Sequence, residues 1–157
     1  MIKPIITNIK ELHKPCELVT KEDNYKEIIQ DLKDTLAAHP SGLGLSANQI
    51  GIYKKICYIR ILVGIDKNKK PYYIERVLIN PKIIEKDRAI KLVGEGCLSF
   101  PRITVTTRRF VFIIVEYLDE NLKPQIGPFQ DYESFVIQHE CDHLNGITIF
   151  EKKWKAK

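Results

Sequence analysis

No uninterrupted run of roughly 18 apolar residues, the length a membrane-spanning helix needs, occurs in the 157-residue chain. The opening stretch, Met1 to Lys10, has neither the apolar run of a secretory signal nor the Arg- and Ser-rich pattern of a transit peptide. Both absences point to a cytosolic protein. Cysteine is sparse, with only Cys16, Cys57, Cys97 and Cys141. In a reducing compartment structural disulfides are not expected, which leaves at least one thiol free to serve as a metal thiolate. A strong charge bias is missing too: 25 basic against 20 acidic residues give a net +5, spread along the chain. That reads as a solvated Lys-rich surface and not as a site for sequence-specific nucleic-acid binding. Repeats and low-complexity linkers are absent. With 44% hydrophobic and 29% charged residues, the expectation is one globular domain over residues 1–157 with a sizeable core.

What is present begins with punctuation. Pro4 and Pro15 break residues 1–20 into irregular chain. Thr20-x-x-Asp23 resembles a capping box, and Tyr25, Ile28, Ile29, Leu32 and Leu36 follow at helical spacing before Pro40-Ser41-Gly42 ends the helix. Lys55 to Val63, Tyr72 to Ile79 and Phe110 to Leu118 are rich in β-branched and aromatic residues, with turn material at Gly64 to Lys70, Asn80-Pro81 and Asp119 to Asn121. Ile83-Ile84 and Ile103 to Thr107 are candidate shorter strands. Strands between an N-terminal and a C-terminal helix predict an α+β fold with mainly antiparallel sheets, packed around the C-terminal helix.

That helix carries the chemistry. Gln138-His139-Glu140-Cys141-Asp142-His143 contains His-Glu-x-x-His, which places two imidazoles on one helix face, able to grip one metal ion. Glu140 lies ~100° round from His139, close enough to act on a metal's water without ligating. Asp131 as N-cap, Glu133 in the first turn and Asn145-Gly146 as a left-handed stop frame a helix near 132–144. Tyr132, Phe135 and Val136 share the histidine face, while Ser134, Ile137, Cys141 and Leu144 form an opposite, largely apolar face. By itself the motif is loose, and two histidines meeting on a helix by chance is the competing reading.

A catalytic site of this kind requires a third protein ligand and an open position. Metalloproteases with an extended motif place a histidine three residues after the glycine, but Ile149 stands there. Glu151 is a poor match. Upstream, Glu95-Gly96-Cys97-Leu98-Ser99 offers Cys97, which alone would read as a small buried residue. Together with His139 and His143 it makes a one-thiolate, two-imidazole set suited to iron(II), zinc, nickel or cobalt. The Gly42-Leu43-Gly44-Leu45-Ser46-Ala47-Asn48-Gln49 segment lets backbone approach another group, yet lacks any phosphate-cradle ending.

Those three segments, in this order, resemble the three motifs of the peptide deformylase family over nearly the whole chain. The resemblance implies a hydrolase that removes the formyl group from N-formylmethionine on nascent polypeptides. It implies that Cys97, His139 and His143 bind one divalent metal ion, usually iron(II), and that Glu140 is general base and acid. Gln49 and the Leu98 backbone N–H would hold the formyl oxygen, Glu95 would pair with Arg109 to brace the metal loop, and Asp142 would support the histidine ligands. The substrate backbone would pair with Leu43, Gly44 and Leu45 on one side and with Val93, Gly94 and Gly96 on the other. Its methionine side chain would lie against Val93, Tyr132, Phe135, Val136 and the His139 ring. Two positions depart from the usual Ala-Ala-Pro-Gln: Ser46 and Asn48. The tail stops soon after Trp154, so ribosome association is expected to be weak at most. The expected location is the cytoplasm of a bacterial or phage-infected cell, ahead of an organelle. The rival readings are a zinc endopeptidase, disfavoured by Ile149, and a non-enzymatic protein with a structural metal site. The latter requires a fourth ligand that neither His13 nor His39 is placed to supply.

Overall fold

Alternation along one strand sets the architecture. In β2 (Ile56–Ile65) successive side chains point to opposite faces, so Ile56 and Tyr58 enter one core and Cys57 and Ile59 the other. The computed structural model describes residues 1–156; Lys157, the end of the expected 1–157 domain, lies outside the described residues. Five strands, β1 (Gly44–Ser46), β2, β3 (Pro71–Cys97), β4 (Phe100–Leu118) and β5 (Pro124–Gln130), pair in chain order, each antiparallel to the next. Helix α2 (Tyr25–Ala37) places Ile29, Leu32 and Leu36 with Leu45, Ile56, Tyr58 and Ile79. Helix α3 (Asp131–Leu144) buries Ile137, Cys141 and Leu144 with Cys57, Ile59, Leu78, Ile113 and Val115. The α+β expectation, with an antiparallel sheet and a C-terminal motif helix, therefore holds. No helix of the described residues is long and apolar enough to cross a membrane.

Several local expectations change. Residues 1–20 include a one-turn helix, α1 (Ile9–Leu12), whose first turn is capped by the Asn8 side chain accepting from the Lys10 N–H at 2.9 Å. Asp23 does accept from the Thr20 N–H, at 2.8 Å, but this closes a turn ahead of α2, whose N-cap is Asn24. Asn80-Pro81 is not the end of a strand. Asn80 takes φ 51° inside β3, and the register jumps from Ile79 opposite Leu118 to Lys82 opposite Glu116. Asparagine tolerates that left-handed backbone, and here its side chain also exchanges hydrogen bonds with Val19 N–H and C=O at 2.8 and 3.0 Å. A bulge thus lets one long strand bend and continue. Three further register shifts follow, and the one between Leu92 and Glu95 turns the end of β3 toward α3 and delivers Glu95 and Cys97 to it.

Helix α3 begins abruptly. Gln130 is extended at the end of β5 and is the N-cap, while Asp131, expected to cap, is the first helical residue with φ 56°. The stop at Asn145-Gly146 is as expected. Gly146 has φ 72°, and the His13 backbone carbonyl occupies the space a Cβ would need.

Candidate active site

Two elements meet to make the site. Cys97 closes β3, and His139 and His143 stand one turn apart on α3. Their ligand atoms all lie within 4.8 Å of one another, with Cys97 Sγ 3.2 Å from His143 Nε2. The imidazoles meet edge to face with centroids 4.9 Å apart. His139 turns Nδ1 toward Glu95 Oε2 at 3.3 Å, which leaves Nε2 on the cluster side.

Glu95 belongs to a buried ion network. Arg109 Nε and Nη2 donate to its two oxygens at 2.8 and 2.7 Å, and Nη1 donates to Asp142 Oδ2 at 2.5 Å. Lys152 Nζ approaches Asp142 Oδ1 at 3.8 Å. The expected Glu95–Arg109 pair is thus in place. Asp142 touches Arg109, and Glu95 is the carboxylate that meets a ring nitrogen of the cluster. Burial alone would raise the Glu95 carboxyl, but the Arg109 and His139 contacts overcome it and bring it down to about 2. Burial opposes a charge on His139 as well; contacts with Cys97 and Glu95 outweigh it and hold that imidazole well above the usual range. His143 goes the other way, lowered by burial and then by His139 and Arg109.

Glu140 is 2% exposed and sits beside the histidines, with Oε1 3.9 Å from His139 Nε2. Burial pushes its carboxyl up to about 7, against a smaller lowering by His139. The β1 backbone passes directly over it: a Cβ on Gly44 would lie 3.0 Å from Glu140 Oε1 and 3.0 Å from Val136 Cγ1. A side chain there would force Glu140 and Val136 to give way. Gln49 comes from the 3₁₀ helix after β1 (Ala47–Ile50); its Nε2 donates to Ser99 Oγ at 3.0 Å and lies 3.5 Å from Cys97 Sγ. Leu98 follows Cys97 in the short turn joining β3 to β4.

The donor set suits a single metal ion. One thiol and two imidazoles converge, and Glu140 Oε2 is a buried polar atom without a hydrogen-bond partner among the described residues, as befits a carboxylate facing a polar occupant. No other group joins as fourth ligand among the described residues. Ile149 is buried against Leu12 and Phe100, Glu151 bonds His13 and Thr148, and His39 bonds the Thr35 carbonyl. None of these residues belongs to the cluster.

The residues expected to line the substrate are mostly more open to solvent. Val93 is 75% exposed, with Gly94 and Gly96 exposed beside it, and Tyr132 is 68% exposed, edge-on to the half-buried Phe135. Val136 is half-buried on the same helix face. Leu43 is exposed, whereas the Leu45 side chain is fully buried in the α2-side core, so only its main chain faces the free edge of β1.

Sequence reading missed the polar groups that hold these parts together. Gln138 Oε1 accepts from the Phe110 N–H at 2.9 Å and its Nε2 donates to the Phe110 C=O at 2.8 Å, with the Ser134 hydroxyl donating to that same carbonyl. β5 ends opposite Phe112, so α3 side chains finish the hydrogen bonding of β4 where the neighbouring strand stops. Gln138 adjoins His139, which was its only signal. Asn48 Nδ2 donates to the His143 carbonyl at 2.6 Å, a contact between segments 95 residues apart that no local pattern announces.

Comparison with known proteins agrees with this geometry. Residues 2–157 match the family model for polypeptide deformylase. The peptide deformylase of Aquifex aeolicus is 35% identical over 161 residues, spanning 100% of this chain and 92% of that one. That of Brachyspira hyodysenteriae is 36% identical over 149 residues, spanning 94% and 78%. The crystal structure of peptide deformylase from Ehrlichia chaffeensis superposes with a TM-score of 0.84 at 32% identity, covering 99% of this chain and 89% of that one. A cysteine and two histidines brought together by a strand end and a single helix turn, in a chain matched along nearly its full length, have one explanation: this protein belongs to the polypeptide deformylase family.

Proposed function

We propose that this chain, acting as one catalytic domain in the cytoplasm, hydrolyses the N-formyl group of N-formylmethionine at the start of nascent polypeptides and releases formate. The observation that carries the reading is Glu140, buried beside the Cys97–His139–His143 cluster with one carboxylate oxygen unpartnered among the described residues. Cys97, His139 and His143 would hold one divalent ion, iron(II) natively, with zinc, nickel or cobalt suited to the same donors. Bound there, such an ion supplies Lewis acidity that lowers the pKa of a coordinated water from ~15.7 toward ~7.

The chain's own groups do the rest. Glu140 accepts the proton of the attacking water and returns it to the leaving amine nitrogen as the formyl C–N bond breaks. Negative charge develops on the formyl oxygen, where the Gln49 carboxamide NH₂ and the Leu98 N–H donate; removing one such donor typically costs ~3 to 4 kcal/mol. The free edge of β1 at Leu43 to Leu45 and the segment carrying the exposed Val93, Gly94 and Gly96 bind an extended peptide by main-chain hydrogen bonds, which reads backbone more than sequence. Tyr132, Phe135, Val136 and Val93 offer an apolar wall for the thioether of methionine.

The test is formate release from a formyl-Met peptide alongside a metal count. We expect turnover in proportion to bound metal at one ion per chain, lost with a chelator and restored by iron(II). Cleavage of an internal peptide bond would favour the endopeptidase. Bound metal with neither activity would favour a structural site.

A further inference from the structure

Ser46 and Asn48 are fully buried, and Gln49 nearly so, at the point where the 3₁₀ helix meets the last turn of α3. Asn48 Nδ2 faces the His143 carbonyl at 2.6 Å, and because a carbonyl only accepts, the amide orientation is forced: Oδ1 turns to the Ser46 hydroxyl at 2.8 Å. Gln49 is fixed by the same logic. Its Oε1 faces the Ser46 backbone N–H at 3.0 Å, which only donates, so its NH₂ must face Ser99 Oγ and Cys97 Sγ. Ser46 stands between the two amides, with its hydroxyl also 3.0 Å from Gln49 Oε1. The His143 carbonyl lies in the last turn of α3, where no further turn of helix supplies a partner; it accepts from the Gly146 N–H at 3.0 Å and has a second lone pair for Asn48.

These contacts form one continuous path from the Gln49 carboxamide to the backbone of His143. We propose that Ser46 and Asn48 are positioning residues for the reaction, a buried brace that holds the Gln49 NH₂ on the cluster side by anchoring it to the helix end that carries His143. The proposal rests on the deformylase reading for the role of Gln49. Neither alanine nor proline at these two positions could make the side-chain bonds of the brace, so it belongs to the two places where this chain departs from the usual motif.

A double-mutant cycle on the metal-loaded enzyme tests it. Asn48→Ala should lower kcat for a formyl-Met peptide by ~10-fold, because a small displacement of a donor weakens its grip on the developing charge. KM should stay within ~2-fold of wild type and the metal should be retained. In a Gln49→Ala background the same change should cost less than ~2-fold, since the group it positions is gone. Equal losses in both backgrounds, or an undiminished kcat in Asn48→Ala, would overturn the proposal. Should Asn48→Ala fail to fold, the cycle with Ser46→Ala decides on the same terms, and Ser46→Thr, which keeps the hydroxyl, should recover the rate. A readout independent of turnover is the thiolate-to-cobalt charge-transfer band of cobalt-loaded protein, because the Gln49 NH₂ lies beside Cys97 Sγ. Asn48→Ala should shift that band, and an unmoved band overturns the brace. If wild-type protein proves inactive on formyl-Met peptides, the functional reading fails, and the brace still stands or falls on the band.

Discussion

Around Cys97, His139 and His143 the polar side chains are buried and most are held by partners that fix their orientation, whereas the flank formed by Val93, Gly94 and Tyr132 is open to solvent. Both regions draw on β3 and α3, and the buried one adds Arg109 from β4 and Gln49 from the 3₁₀ helix. Under the proposed function, the difference lies in what each must specify. Proton transfer and charge stabilisation demand fixed positions, and a buried group with a forced hydrogen bond cannot wander. Holding an extended peptide through its main chain demands an exposed edge and some apolar area, which many side chains could supply.

The sharpest way to break this comparison is at its most buried point. Glu140→Gln keeps size and removes basicity, so we expect at least ~100-fold loss of turnover with metal stoichiometry and folding retained. Metal lost together with activity would make Glu140 a ligand instead. Next in size is Arg109→Ala, which takes from two carboxylates their principal partner, a guanidinium only 2% exposed. Removing one partner of a buried ion network typically costs ~3 to 5 kcal/mol, here a fall of roughly 10 °C in Tm. Turnover should fall by ~10-fold or more as the Glu95 support of His139 loosens. Calorimetry and kinetics showing a wild-type Tm and rate would mean the network is incidental. The smallest effect belongs to the open flank: Tyr132→Ala should raise KM by ~2- to 5-fold while Tm moves by no more than ~2 °C, as exposed substitutions usually do. A large loss of stability there would erase the contrast between the two regions.

Legibility followed periodicity. The helical spacing of His139, His143, Ile137, Cys141 and Leu144 revealed α3 with its pocket and core faces, and the Ile- and Val-rich runs revealed most of β2, the first third of β3 and the second half of β4. β5 was hidden because Gly127 and Pro128 interrupt its pattern, and it is a strand only because β4 offers it an edge. β1 was hidden by its three-residue length. Asn80-Pro81 carries a genuine turn signal, but the ladder on either side converts the turn into a bulge. Asp131 has the chemistry of an N-cap and is displaced from that role because β5 runs directly into α3.

Sequence by itself determined which atoms are available for chemistry: a thiol, two imidazoles one helical turn apart, a carboxylate beside them and a carboxamide far upstream. Those are properties of residue type and local spacing, and the 3.6-residue turn is enough to pair His139 with His143. Tertiary structure alone decided how these groups are aimed. The bulge before Glu95 that turns β3 toward α3, the Arg109 fork between two carboxylates, the Gln138 contacts that finish β4 and the Asn48 bond to the His143 carbonyl all join segments distant in sequence. Their energies exist only once water is excluded from between the partners, which is why no local pattern records them.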